Sequence, residues 1–183
     1  MVDELFILRD LIRNWNQAAA QISKAIGRPA IPGHIAEFIA SRIFDIRLFD
    51  SASHKAVDGH FNSGPLAGKS VNIKWSAKHE RLLNLGKEEH PDYYLVLTGP
   101  EAPPTSSRGQ MRLWAIDYVF LFNSSILVER LRDRGVNVGT ASSVRKSDWM
   151  DAEIFPASRN PEYQLTEEQK ECLSLFSSEA VSA

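Results

Sequence analysis

The sequence predicts a mixed α/β fold, and three observations carry that prediction. Apolar residues recur at three- and four-residue steps over the first 44 residues, which is typical of helices. From about residue 45 the apolar period changes to two, which is typical of strands, and glycines and prolines separate the repeats. Two further apolar runs and two helix-capping patterns follow. We therefore expect an α/β (α+β) architecture with a central mixed β-sheet flanked by helices.

Two helices are predicted at the start of the chain. The first spans residues 4–26, where apolar side chains follow one helical face, and Gly27 ends it. The second spans about residues 34–44, and its apolar residues surround almost the whole circumference, which indicates a buried helix. Glu37 is unexpected in such a helix, because a buried carboxylate is costly unless a cation or hydrogen-bond donors compensate it.

A β-meander is predicted next, as three short strands at residues 45–49, 56–61 and 71–75. Glycine and proline at residues 64–68 indicate a turn or short loop between the second and third strands. Apolar runs then predict strands at 93–97 and, in the simplest interpretation, at 111–122. Capping residues mark two later helices: Ser124 or Ser125 for one that stops at Gly135, and a capping box of Thr166 and Gln169 for a last helix reaching about Phe176.

The charges are distributed unevenly along a chain of 183 residues whose net charge is -2. Residues 1–147 hold 19 basic and 15 acidic side chains, a net charge of +4, whereas residues 148–183 hold 2 basic and 8 acidic ones, a net charge of -6. We therefore divide one domain into an N-terminal helix (1–27), a core (28–147) and an acidic C-terminal extension (148–183). We expect the acidic segment to pack away from the substrate face or to cover it as a phosphate mimic.

The composition also excludes several classes of protein. A single cysteine, Cys172, cannot form an intramolecular disulfide or a cysteine-based zinc site, and it is compatible with a reducing compartment. No apolar run approaches the roughly 20 residues that a membrane span needs. We therefore expect a cytoplasmic protein.

The polar residues of the meander form the most informative feature of the sequence. Side chains alternate between the two faces of a strand, so Asn72 and Lys74 lie on the face opposite Val71, Ile73 and Trp75. If the second and third strands form an antiparallel pair, Asp58 joins Asn72 and Lys74, and Glu37 could reach them from the helix. The simpler alternative is a polar hairpin face that contacts water.

These residues resemble a known pattern in three short motifs, which are AEFIA at 36–40, VDG at 57–59 and GKSVNIK at 68–74. A helical Glu, an Asp-Gly in a strand and an Asn-Ile-Lys tripeptide 14 positions later resemble the restriction-endonuclease-like, or PD-(D/E)xK, nuclease superfamily. The resemblance covers about residues 34–99. It implies a metal-dependent phosphodiesterase on a central mixed sheet, with the topology helix, β-meander, helix, strand.

The resemblance implies a function for each motif residue. Asp58 matches the central carboxylate that binds Mg²⁺ or Mn²⁺, and Glu37 matches a helical acid that some branches add. Lys74 matches the lysine that orients or activates the attacking water. Asn72 stands where Glu or Asp is usual, and the backbone carbonyl of Ile73 would supply a further metal oxygen. A neutral amide at position 72 removes one charge, so the site would hold Mg²⁺ more weakly.

Two groups of basic residues could bind a nucleic-acid backbone, since affinity there comes mostly from Lys and Arg at phosphates. The first lies between Lys69 and Lys87, and the second comprises Arg130, Arg132, Arg134, Arg145 and Lys146. Each group could equally be a solvated face. Polar residues beside Asp58 that could touch a phosphate, or simply form turns and edges, are Ser51, Ser53, His54, Lys55 and His60.

Three functions stay open on the sequence alone. The first is a Mg²⁺-dependent DNA endonuclease of restriction type, with Asp58 and Glu37 as metal ligands, Lys74 at the nucleophile and Asn72 as an auxiliary ligand. The second is a catalytically inactive module of the same fold that binds nucleic acid or a protein partner. The third is a domain in which these charges form a structural ion-pair network. The resemblance also implies a homodimer, as in many restriction-type nucleases.

Overall fold

A computed structural model describes residues 2–50, 56–101 and 112–182. The helices in these ranges are α1 (Val2–Ile26), α2 (Pro32–Ile43), α3 (Ser124–Asp133), α4 (Lys146–Ala152), α5 (Glu167–Ser174) and α6 (Ser178–Val181). The strands are β1 (Ile46–Leu48), β2 (Gly59–Phe61), β3 (Ser70–Ser76), β4 (Leu82–Leu83), β5 (Tyr93–Thr98), β6 (Tyr118–Asn123), β7 (Ser142–Ser143) and β8 (Glu153–Phe155).

A six-stranded sheet in the order β1-β2-β3-β5-β6-β8 forms the centre of the fold. β1, β2 and β3 form the antiparallel meander that the sequence predicts, and β3 pairs with β5 in parallel. β5 with β6 and β6 with β8 are antiparallel pairs. The prediction of a mixed α/β fold with a central sheet flanked by helices is therefore confirmed.

Helices pack on both faces of the central sheet. On one face, Leu95 and Leu97 of β5 pack with Ile39 and Ala40 of α2. On the other face, alternate residues of β5 pack against Leu127 and Leu131 of α3 and Trp149 of α4. All six residues of β5 are buried, as expected for a strand covered on both sides. None of the helices in the described ranges is long and apolar enough to cross a membrane.

The connection between the parallel strands β3 and β5 departs from the topology that the resemblance implies. Parallel neighbours need a crossover of a dozen or more residues, which is usually helical. Residues 77–92, all of which the structure describes, contain no helix. They instead contribute β4, which pairs with β7 in a small second sheet. The expected helix between the meander and the next strand is thus wrong for this chain.

Several boundaries differ from the predictions for local reasons. The strand predicted at 111–122 is shorter in the structure, because β6 begins only at Tyr118. Residues 112–117 are irregular, although Ala115 and Ile116 among them are fully buried. Met111 lies outside the described residues. Asn123, and not a serine, caps α3 by accepting a hydrogen bond from the backbone N–H of Ile126 at 3.4 Å. The capping box at the start of α5 is confirmed.

The acidic segment 148–183 forms an integral part of the fold. Its strand β8 lies at one edge of the central sheet, and Leu173 of α5 is fully buried in the core beneath α2. The side chain of Gln169 donates to the backbone carbonyl of Ile43 at the end of α2, at 2.9 Å. Residues 148–183 therefore differ from the rest of the chain in their acidic charge, but they pack as part of the same domain.

His79 lies in an aromatic cluster, and this position gives the fold a pH dependence. Its ring centroid is 4.6 Å from that of Trp149 and 4.8 Å from that of Phe120, and neither ring nitrogen has a hydrogen-bond partner among the described residues. Burial lowers the pKa of His79, although the charge of Glu101 opposes this. A histidine with a lowered pKa stabilises the fold above its ordinary pKa, and that stability is lost as the pH falls through the folded-state value.

We therefore expect the free energy of unfolding to fall as the pH drops below the unfolded-state pKa of about 6.5, and His79→Phe to reduce that fall. Urea denaturation of both proteins at several pH values measures the difference. His34→Phe is the control, because His34 lies half-buried at the start of α2, outside the aromatic cluster, with Nδ1 3.0 Å from the carbonyl oxygen of Pro29. A pH dependence that His79→Phe leaves unchanged would contradict the expectation.

Candidate functional site

Asp58 lies immediately before β2, at the point where β2 and β3 separate. Its backbone N–H donates to the carbonyl of Val71, and its carbonyl accepts from the N–H of Phe49, both at 2.9 Å. Carboxylate oxygen Oδ2 accepts a hydrogen bond of 2.6 Å from the backbone N–H of Ile73. The side chain thus replaces a main-chain partner at the edge of β3.

Gly59 allows this arrangement because β1 and β2 approach very closely there. A Cβ atom at position 59 would lie 2.4 Å from the carbonyl oxygen of Arg47, a separation that any other residue would have to relieve by moving the backbone. An interior glycine weakens a strand unless a backbone approaches closely or a bulge forms, and here the close approach of Arg47 accounts for it. Because the backbone of Gly59 lies so close to Arg47, the position of Asp58 relative to β3 is also fixed.

The carbonyl of Ile73 points to the same edge as Asp58. Within a strand, the N–H and C=O of one residue face the same neighbour, and the N–H of Ile73 faces Asp58. The residue pairing of β2 with β3 extends only to Gly59 opposite Val71. The opened edge of β3 therefore presents one carboxylate and one carbonyl oxygen together.

Glu37 forms an ion pair with Arg28, a residue in the connector between α1 and α2 that no sequence motif marks. The Glu37 side chain is only 17% exposed, so Arg28 supplies the compensating cation that a carboxylate in an apolar helix requires. The helix itself is less buried than predicted: Ala36, Ile39 and Ala40 are its buried residues, and the others are half-buried or exposed.

The pKa values link three of the predicted residues electrostatically. Burial raises the pKa of Asp58 and the negative charge of Glu37 adds to this, while the Ile73 hydrogen bond and the Lys74 charge oppose it. Burial also lowers the pKa of Lys74, and the charge of Asp58 opposes that shift. Asp58 therefore interacts electrostatically with Glu37, Lys74 and Arg28, and acids and bases whose pKa values are shifted by burial and by charged partners are often found at functional sites.

Asn72 and Lys74 face the side of the sheet that the strand alternation predicts. Both line a cleft of about 510 Å³ together with Asn84, Lys87 and Tyr94. Lys74 Nζ lies 5.3 Å from the centre of the Tyr94 ring, within the range of a cation–π contact. Oδ1 of Asn72 is buried and has no hydrogen-bond partner among the described residues. A buried amide oxygen of this kind is available to a ligand.

The oxygen donors of the site fit a hard divalent cation with few protein ligands. Mg²⁺ usually binds one or two carboxylates, keeps several waters and takes further oxygens from a substrate phosphate. Asp58 and the Ile73 carbonyl supply such oxygens at the opened edge of β3, and the orphaned Oδ1 of Asn72 belongs to the neighbouring residue of the same strand and lines the cleft. Among the described residues, no group of three or more His, Cys, Asp or Glu side chains is placed to hold a metal. A cation here would therefore depend on Asp58 for most of its protein charge.

The two basic groups of the sequence have different surroundings. In the second group, Arg130 and Arg134 form ion pairs with Asp148, so the acidic segment neutralises part of that surface. In the first group, Lys78 is paired with Glu80, and Lys87 lines the cleft beside Lys74. Lys78 and Lys87 of the first group therefore adjoin the predicted site.

The remaining predicted candidates lie at the margin. The His60 ring packs edge-on against Phe49, with centroids 5.2 Å apart, which is a packing contact. The candidates Ser51, Ser53, His54 and Lys55 lie outside the described residues. Trp114 is half-buried against the core and stacks on Trp75 with centroids 5.5 Å apart.

Comparison with known proteins finds no family model and no curated protein that matches this chain. The geometry around Asp58 and Lys74 is therefore the principal support for a functional proposal.

Proposed function

We propose that this protein is a metal-dependent nuclease that hydrolyses phosphodiester bonds, acting on DNA as a restriction-type endonuclease. The observation that carries the proposal is the hydrogen bond from the Ile73 N–H to Asp58, which holds a partly buried carboxylate at the opened edge of β3, one residue from Lys74 along the strand. The helix–meander–parallel-strand arrangement and the three motifs that resemble the restriction-endonuclease-like superfamily add support.

In this proposal each side chain has a separate task at a phosphodiester. Asp58, Asn72 and the Ile73 carbonyl hold Mg²⁺ or Mn²⁺, which when bound polarises the phosphoryl group and lowers the pKa of a coordinated water. The resemblance implies that Glu37 is a metal ligand, but its carboxylate is paired with Arg28, and we therefore propose that it adds negative charge near Asp58 instead. Lys74 presents a compact positive charge to the attacking water and to the charge that develops on phosphorus.

The substrate would lie along the face that carries Lys74. Lys74 and Asn84 each line two clefts, one of about 510 Å³ with Lys87 and one of about 380 Å³ with Lys78. A strand crossing both clefts would place phosphates next to cations and bring one phosphodiester to Lys74. We further propose that the protein acts in the cytoplasm, where its DNA would be found.

Cleavage of defined DNA tests this function. Metal-free wild-type protein is incubated with supercoiled and single-stranded DNA, with Mg²⁺, Mn²⁺ or EDTA. We expect cleavage that needs the metal and that Asp58→Ala and Lys74→Ala both abolish. Lys24→Ala, an exposed change on α1, is the matched control and should cleave like wild type. Cleavage that survives in both site variants, or no cleavage under any condition, would refute the proposal.

A catalytically inactive binding module is the second candidate, and the Arg28–Glu37 ion pair favours it. That pair already neutralises one of the two carboxylates, and position 72 contributes no charge. Titration calorimetry with Mn²⁺ separates the candidates, using Asn72→Glu to add the missing carboxylate and Asn72→Gln as a neutral control. DNA binding without Mn²⁺ affinity in any of the three proteins would favour the module.

A further inference from the structure

Helix α1 presents an apolar surface that the rest of the described chain does not cover. Eight of its large apolar side chains are between 39% and 71% exposed: Leu5, Phe6, Ile7, Leu8, Leu11, Ile12, Trp15 and Ile22. At roughly 100 Å² of exposed area each, they exceed the roughly 300–600 Å² of the largest apolar patch on a typical monomer. An exposed surface of this size usually marks an interface.

The apolar residues follow a strict heptad repeat. Steps of three and four residues alternate without interruption over three heptads, through Leu5, Leu8, Ile12, Trp15, Ala19, Ile22 and Ile26. A repeat of 3.5 residues keeps one seam facing a partner helix when two helices supercoil, and it is the signature of a coiled coil. A helix that packs only on a globular body needs no such regularity.

The body of the protein covers only the end of this seam. Residues 4–18 are exposed all round, and Ala19, Ser23 and Ile26 are the half-buried positions near α2. An isolated helix is marginal in water, because most helical stability comes from packing an apolar face. The first two heptads of α1 therefore lack the partner that their sequence pattern requires.

We propose that α1 pairs with α1 of a second copy of this chain, so that the protein is a coiled-coil homodimer. The exposed area of the seam and its flanks, several hundred Å² per chain, approaches the roughly 800 Å² per partner of a standard interface. A heptad seam is self-complementary, so a two-fold pair of identical helices buries it completely. In a parallel pair Glu4, at a flanking position, would also face Arg9 of the second copy.

The charges of α1 argue against a membrane surface as the occupant. Helices that lie on anionic lipid carry Lys and Arg along their polar face. On α1 the arginines Arg9 and Arg13 both contact Asp10, so the polar face is nearly neutral.

The oligomeric state of the full chain tests this proposal, with sedimentation equilibrium as the measurement. We expect a dimer for wild type at tens of micromolar and at least a 100-fold weaker association for the double variant Leu8→Lys, Trp15→Lys. Gln17→Lys, on the opposite face of α1, is the matched control and should remain dimeric.

Circular dichroism and thermal unfolding show whether the body stays folded in each variant, since every substituted side chain is exposed. A wild-type protein that is monomeric at 100 µM would overturn the proposal, whether it then binds vesicles of anionic lipid or another protein. Dimers of equal strength in wild type and in the Leu8, Trp15 variant would also overturn it, because the seam would then not be the interface. None of these measurements depends on nuclease activity.

Discussion

Asp58→Asn is expected to reduce metal-dependent DNA cleavage by about 1,000-fold and, at the same time, to make the metal-free protein more stable at pH 7. The loss of activity follows because Asn removes the principal negative charge from the proposed cation site, and a few kcal/mol of transition-state stabilisation correspond to about three powers of ten in rate. Single-turnover cleavage at fixed Mn²⁺ concentration measures this loss.

The gain in stability follows from the direction of the pKa shift. Burial and the charge of Glu37 raise the pKa of Asp58 above its ordinary value. A raised carboxyl pKa contributes stability below the unfolded-state pKa of about 4, and that contribution is lost as the pH rises through the folded-state value. Asn does not ionise, and its amide oxygen can still accept the hydrogen bond from Ile73. Urea denaturation in EDTA should therefore show a gain at pH 7 that disappears near pH 3.5.

Asp92→Asn is a control variant in which we expect the opposite change in the free energy of unfolding at pH 7. Burial alone would raise the pKa of Asp92, but hydrogen bonds from the backbone and hydroxyl of Ser70 and the nearby Lys69 lower it overall. Its ionised form stabilises the fold, so Asp92→Asn should lose stability at pH 7. If Asp58→Asn also loses stability at pH 7, burial of the Asp58 carboxylate is not a net cost and this part of the prediction is wrong.

The elements with a regular apolar period, and the face of β3 that carries Asn72 and Lys74, can be predicted from the sequence. Alternation along β3 correctly predicts that Asn72 and Lys74 share a face, since both line the same cleft. The antiparallel meander was equally accessible, because a short turn leaves adjacent strands little choice of partner. Even the glycine after Asp58 carries a readable signal, since the interior of a strand accepts glycine at a cost unless backbones approach closely.

Features without a period were missed. β8 has three residues, too few for alternation to show, and its place beside β6 depends on contacts made after the chain has turned twice. The residue opposite Glu37 was also missed, although the need for a cation was evident. Arg28 lies in the connector between two helices, and its position depends on the turn at Gly27, where φ is +70°. Local sequence could indicate the requirement but not the path of the chain that meets it.

Lys74→Met is expected to lower the cleavage rate by about 100- to 1,000-fold while leaving Mn²⁺ affinity within a few-fold of wild type. Met keeps an unbranched apolar side chain but removes the ammonium group, which lies 5.3 Å from the centre of the Tyr94 ring. If Lys74 stabilises charge at phosphorus without binding the metal, this variant should lose cleavage rate but keep its affinity for Mn²⁺. Asp58→Asn should lose both cleavage rate and affinity for Mn²⁺.

Lys74→Arg and Lys78→Met make this prediction specific to the position and to the chemistry. Arg keeps a positive charge but spreads it over a plane and remains protonated, so it should restore little of the rate. Lys78 is a neighbouring cation paired with Glu80, and its loss should reduce cleavage only slightly. The rate is measured at saturating Mn²⁺, and the affinity for Mn²⁺ is measured by calorimetry. If Arg restores full activity, any positive charge suffices at position 74, and the proposed need for the compact ammonium of Lys74 at the attacking water is wrong.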